Sequence, residues 1–345
     1  MILYRKNAQL RIRRSPAPEP PWWYATAIAP YSARRGAPVA IDYLDLRASC
    51  PDRVEVSVAE RVADEIQRSA GKIAPPVFID AAEFAEVVFR RGEEALKTLN
   101  ASGIPAMHLV STRGALPLEP HDATIILAAW PLDFDRIEQL AAAGRGRRWG
   151  MAVPVIFPVT TDLVALAQLC DLARDNGAGF FAAIPVETDP TARGAIAQSL
   201  SPDDDEETYN MLFHADLEPL HVATERHIAA LAAQAGLADF VVPPRWEEKT
   251  NWNAAVLLTL TATRMLAMDD EVELAGMLAR SARLVAVLEK PLARIAEAAS
   301  LSIVEALDEV SAGILTEWLA DGRPAWVERI DERWRLRRDA GSSSW

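Results

Sequence analysis

Cysteine is nearly absent: the 345 residues carry two, Cys50 and Cys170. Two thiols cannot by themselves supply the ligands of an iron–sulfur cluster or an all-cysteine zinc site, and they make no disulfide framework. Basic charge is also in short supply, with 36 Lys and Arg against 49 Asp and Glu and a formal net charge of -13. Such a field repels nucleic acid and anionic membrane over most of the surface. No window approaches the ~18 uncharged apolar residues of a membrane span. The opening MILYRKNAQLRIRRS has positive charge but no apolar h-region and no small-residue cleavage site. It does not read as a secretory leader, so the cytoplasm is the default compartment. The nucleotide and nucleophile signatures GxGxxG, GxxxxGK[ST] and GxSxG are missing as well.

What is present describes a chain with a large core. Hydrophobic residues make up 50% and charged residues 25%, with a mean hydropathy of +0.02, which excludes wholesale disorder. Residues 1–36 read as an irregular, extended N-terminal arm. Arg5, Lys6, Arg11, Arg13 and Arg14 make it basic, and Pro16, Pro18, Pro20 and Pro21 keep it extended. Trp22, Trp23 and Tyr24 follow as an anchor onto the body or onto a partner.

From residue 37 short apolar runs alternate with amphipathic segments. Strands are expected at 37–43, 75–80, 104–110, 123–130, 151–159, 179–186, 210–215 and 238–243. Helices are expected between them, including 57–70, one long helix over 81–100, a helix from Asp133 to about 143 and another following Thr161. Near-continuous apolar strands joined by helices argue for a parallel sheet covered on both faces. The fold class expected is α/β: a (β/α)8 or partly open TIM-like barrel over 37–250, with a C-terminal helical extension over 251–345. An open doubly wound sheet is the alternative. The extension reads as three helices, 252–267, 270–288 and 291–320, with Pro291 at the first helical position of the third. These helices could serve a protein partner or a homo-oligomer.

In parallel α/β folds ligands bind beyond the carboxyl ends of the strands. The polar residues at those ends are therefore the candidate site, with Asp42, Asp80, His108, Trp130 and Glu187 as the ligand- or cofactor-binding set. The densest cluster is HADLEPLHVATERH, where His214, Asp216 and His221 could hold Zn, Fe or Mn. The same cluster also reads as an ordinary polar strand end, or as a metal-free acid–base site using His214 and Asp216. Arg245 and Lys249, in RWEEKTNWN, could neutralise a substrate carboxylate or phosphate. The cofactor is otherwise not readable, and the expected ligand is a small polar or anionic molecule.

The segment PVIFPVTTDLVALAQLCDLARDNGAGFFAAIPVE resembles the middle of radical S-adenosylmethionine barrels: a strand, a helix of this length, Gly-Ala, and a strand ending in Pro-Val. Members of that family hold a [4Fe–4S] cluster on a CxxxCxxC loop after the first strand. The matching region here, YSARRGAPVAIDYLDLRASC, has Cys50 alone. The resemblance therefore implies a barrel without the radical chemistry, serving as a non-catalytic partner or turned to other work. Three function classes stand: an enzyme of the acid–base or metal-assisted kind (a lyase or hydrolase), a cluster-less binding barrel, and an assembly protein built on the tryptophans and the helical extension.

Overall fold

The structure, a computed structural model, describes residues 2–4, 11–15, 17–18, 23–24, 26–29, 31–32, 53–55, 57–69, 76–81, 86–112, 116, 123–128, 132–156, 160, 162–185 and 218–342. Expected elements at 37–43 and 210–215, and most of the 111–122 crossover, lie outside these residues. The chain divides into two units, one of residues 1–13 and 27–244 and one of 14–26 and 245–345.

The first unit carries the strands. The region read as an irregular arm contributes β1 (Ile2–Tyr4), β2 (Arg11–Arg14), β3 (Thr26–Ala29) and β4 (Tyr31–Ser32). After them come β5 (Arg53–Glu55), α1 (Val58–Ser69) and β6 (Val77–Asp80). The helix expected over 81–100 is broken into α2 (Glu86–Phe89) and α3 (Arg91–Ala101). Next are β7 (Ala106–Ser111), β8 (Ala123–Leu127), α4 (Phe134–Gly144), β9 (Trp149–Val155), α5 (Leu163–Asp175), β10 (Phe181–Pro185) and α6 (Glu218–Gln234). β1, β5 and β4 form a small sheet, and seven strands form the main one in the order β10-β9-β8-β7-β6-β3-β2.

That order runs with the chain and contains no reversal. β6 through β10 are all parallel. Of the last expected strand, a single parallel bridge is formed, Ala238 to Phe180, on the outer side of β10. A doubly wound sheet reverses its order at a switch point and places helices on both faces. Here the register puts Ile79, His108 and Thr124 on one face, and Val110, Ile126, Met151 and Phe181 on that same face. Val77 and Ile79 pack with Val58 and Val62 of α1 and with Leu96 and Leu99 of α3. Val110, Ile126, Met151 and Phe181 pack with Ile137 of α4, Leu166 and Leu169 of α5 and Ile228 of α6. The described helices thus cover one face, as in a barrel.

The opposite face is buried too, with Phe78, Met107, Leu109, Ile125, Leu127 and Ile184 at 5% exposure or less. Burial on both faces explains why these strands read as continuous apolar runs rather than alternating ones. The architecture is a partly open, TIM-like α/β arrangement accompanied by a C-terminal helical block.

In the second unit are α7 (Asn251–Ala267), α8 (Val272–Ala286), α9 (Leu292–Ala298), a 3-10 turn (Leu301–Ile303), α10 (Glu309–Asp321) and α11 (Ala325–Ser342). The third expected helix is therefore two. Ala299 is extended, Ala306 has a φ of 67°, and Asp308 caps a fresh start. Pro291 is the N-cap of α9, one residue before the first helical position. Leu258, Met265, Leu278, Val285, Leu315 and Ile330 form the core of this unit. Residues 14–26 belong to it: Trp23 and Tyr24 are buried, and the Trp252 indole N–H donates to the Trp23 carbonyl at 2.9 Å.

Candidate functional site at the carboxyl edge of the sheet

Because β6 to β10 are parallel, their carboxyl ends share one edge. Asp80 ends β6 and is exposed. It lies on the face away from the helices, alternating with Ile79. Ser111 ends β7, and Thr112 extends the ladder by donating its N–H to the Leu127 carbonyl at 2.9 Å. At the end of β9 the chain turns on a fully buried Thr160. Its Oγ1 accepts from the Ile156 N–H at 2.7 Å and donates to the Ile156 carbonyl at 3.2 Å.

Two helix N-termini open at this same edge. The Asp162 carboxylate accepts from the N–H groups of Val164 (2.9 Å) and Ala165 (3.1 Å) at the start of α5. The Asp133 carboxylate accepts from the Arg136 N–H at 3.0 Å at the start of α4. Both carboxylates satisfy backbone donors that the first turn leaves unpaired. The α5 cap is therefore Asp162, one residue after the Thr161 named from sequence.

Asp80 and His108 sit on paired strands but on opposite faces, since Asp80 is opposite Leu109 and His108 opposite Ile79. His108 is fully buried. It lies beneath Gly92 of α3: a Cβ built on Gly92 would be 2.8 Å from His108 Nε2, 3.1 Å from Glu86 Oε1 and 2.5 Å from the Ala81 Cβ. Glu86 is 2% exposed. Its carboxylate accepts from the Gly92 N–H at 2.9 Å and the Glu93 N–H at 3.0 Å. Arg90, with φ 51° and ψ 33°, makes the bend that separates α2 from α3. Sequence reading placed Glu86 on the face of one long helix and so missed it. The available signal was a glutamate six residues before a glycine flanked by charge, where a second helix could begin.

His221 lies near the start of α6 and is half-buried. Since α6 leads back to Ala238 beside the beginning of β10, it runs against the strands and directs its first turn toward the carboxyl edge. Farther along α6, burial pushes the His227 imidazole below its usual range. Among the described residues no group of three or more His, Cys, Asp or Glu is placed to hold a metal ion. Asp42, Trp130, Glu187, His214 and Asp216 lie outside the described residues.

Arg245 and Lys249 belong to the helical unit. Arg245 has a φ of 54°, and its carbonyl accepts from the Asn253 side-chain amide at 2.7 Å. The Lys249 ammonium donates to the carbonyls of Leu319 and Ala320 at the end of α10. It thereby satisfies acceptors left open by the last helical turn and complements the negative end of the helix dipole.

Burial, and then the Asp171 carboxylate, push the Cys170 thiol up to about 11. It is a core residue of α5, packed against the sheet. No helix in the described residues is long and apolar enough to cross a membrane. No family model matches the sequence, and no curated protein matches it significantly.

Proposed function

We propose that the protein is an enzyme acting on a small polar or anionic molecule at the carboxyl edge of its parallel sheet, by acid–base or metal-assisted chemistry. The observation that supports this most is the chain-ordered run of five parallel strands, β6 to β10. It gathers Asp80, Ser111, Thr112, Thr160 and two helix N-termini at one edge. In this reading His214 acts as base or metal ligand, Asp216 orients it, and His221 completes the imidazole–carboxylate set.

The test is a thermal-shift and turnover screen against phosphates, carboxylates and sugars, each with and without Zn, Fe or Mn. A true ligand at a hundredfold excess over its Kd contributes about 2.7 kcal/mol, or several degrees in Tm. His214→Ala should abolish turnover and leave the unliganded Tm within about one degree. Ligand binding without turnover in any condition would overturn the enzyme reading. It would favour a second one: a cluster-less relative of radical S-adenosylmethionine barrels that binds without catalysis. Two features support that alternative, the barrel-like strand order and the two-cysteine count, too low for a cluster loop.

A further inference from the structure

Two ionisable side chains lie almost wholly out of water between the sheet and α3: His108 in the middle of β7 and Glu86 of α2. Burying either alone is costly unless hydrogen bonds or an opposite charge offset the loss of water. Both approach one point beside the Gly92 Cα, with Nε2 and Oε1 each about 3 Å from where a Cβ would stand. Only a glycine leaves room for that approach. The carboxylate also closes the first turn of α3 by accepting the Gly92 and Glu93 N–H groups.

We propose that Glu86, with the buried His108 ring close by, works as a pH-sensitive latch, holding the N-terminus of α3 against β6 and β7. With Glu86 ionised, both carboxylate oxygens accept backbone N–H groups and the positive end of the helix dipole favours the charge. Protonating Glu86 removes the charge and turns one oxygen into a hydroxyl, a poorer acceptor, so the bonds from the Gly92 and Glu93 N–H groups weaken. Protonating His108 beside the ionised carboxylate makes a neutral pair and holds the latch.

Among the described residues, the nearby charges lie on α3 and α1. On α3, Glu93 is buried and meets Arg90 at 3.3 Å, while Arg91 and Glu94 pair with each other at 2.5 Å. On α1, Arg61 is half-buried. The strand neighbours of His108 are Ile79 and Thr124, neither of which titrates, and Asp80 lies on the other face.

Amide hydrogen exchange of the full chain, corrected for its intrinsic pH dependence, tests the latch alongside 15N spectra of the His108 ring. The protection of Gly92 and Glu93 should fall as pH decreases, in a step that also perturbs the His108 ring signals. Glu86→Gln should remove that step and move the ring titration to lower pH by about one unit, because the favourable negative charge is gone. If protection at Gly92 and Glu93 is flat with pH, or the ring signals ignore the step, the latch is overturned. The wild-type titration decides even where the variant fails to fold.

Discussion

A Cβ on Gly92 would meet the Ala81 Cβ at 2.5 Å, and that atom belongs to a backbone-fixed methyl that cannot swing aside. Gly92→Ala should therefore lower stability by about 1–3 kcal/mol, the usual cost of overpacking, seen as a lower urea midpoint at unchanged slope. Gly313, inside α10, has no atom within 4 Å of the same construction. Gly313→Ala should instead raise stability by about 0.5–1 kcal/mol, through helix propensity alone. Cys170 gives a chemical counterpart. With its pKa raised to about 11 and its side chain in the core, little thiolate exists at neutral pH. In a Cys50→Ser background, an aromatic disulfide reagent at about pH 8 should react at least ~100-fold more slowly with the folded protein than with the urea-unfolded chain. Equal rates would place the thiol in solvent.

The helix starts show how far local sequence reaches. Asp133 was legible as the beginning of α4, because a short carboxylate side chain before an apolar period is a cap signal, and it does cap. Asn176 and Gly177 were legible as the end of α5, and Gly177 takes a φ of 75° there. The break at Arg90 was only partly legible: Gly92 is a local weakness in the helical pattern, but nothing local puts the bend two residues before it. What breaks the helix is tertiary: a buried carboxylate captures two backbone donors and begins a new turn. The split before α10 has a similar origin. Asp308 accepts from the hydroxyls of Ser281 and Ser311 at 2.6 Å each and from the Ser311 N–H at 2.8 Å. Ser281 belongs to α8, 27 residues earlier, so no local pattern announces the partnership.

Burial alone would raise the Asp308 carboxyl, but the hydrogen bonds from Ser281 and Ser311 outweigh it and hold the group below 3.8. A carboxyl depressed on folding contributes stability above its unfolded value, and the contribution fades as pH falls through the folded one. Asp308→Asn should therefore cost about 1–2 kcal/mol near neutrality, measured by urea unfolding. The gap to the wild type should close as pH falls below the ordinary aspartate range, through the depressed titration of the folded state. A gap independent of pH would show that the charge on Asp308 does not matter.

At the scale of the whole molecule, the alternation of apolar strands and helices could be read from the sequence, because strands buried on both faces carry few polar interruptions. Strand order could not. Which strand lies beside which depends on crossover packing, and a barrel and a doubly wound sheet share the same alternation. The register of β6 to β10 separates them, since it puts the packing of α1, α3, α4, α5 and α6 on one face. The same register sorts the candidate residues. Asp80 lies at the exposed strand ends, whereas His108, chosen by the same rule, lies mid-strand under α3. The rule located strands well but could not tell a strand's end from its middle within an unbroken apolar run. Lys249 illustrates another limit, because a carbonyl-capping ammonium looks identical in sequence to one waiting for an anion.

The most direct test of a ligand site at the carboxyl edge is amide chemical-shift mapping of the isotope-labelled full chain, titrated with a ligand found in the screen. Perturbations should concentrate at Asp80, Ala81, Ser111, Thr112, Ala128, Ile156, Thr160 and Asp162, at the carboxyl ends of neighbouring strands and the start of α5. Perturbations gathered instead at the opposite strand ends, around Pro76, Pro105 and Arg148, or confined to the helical unit, would contradict the account.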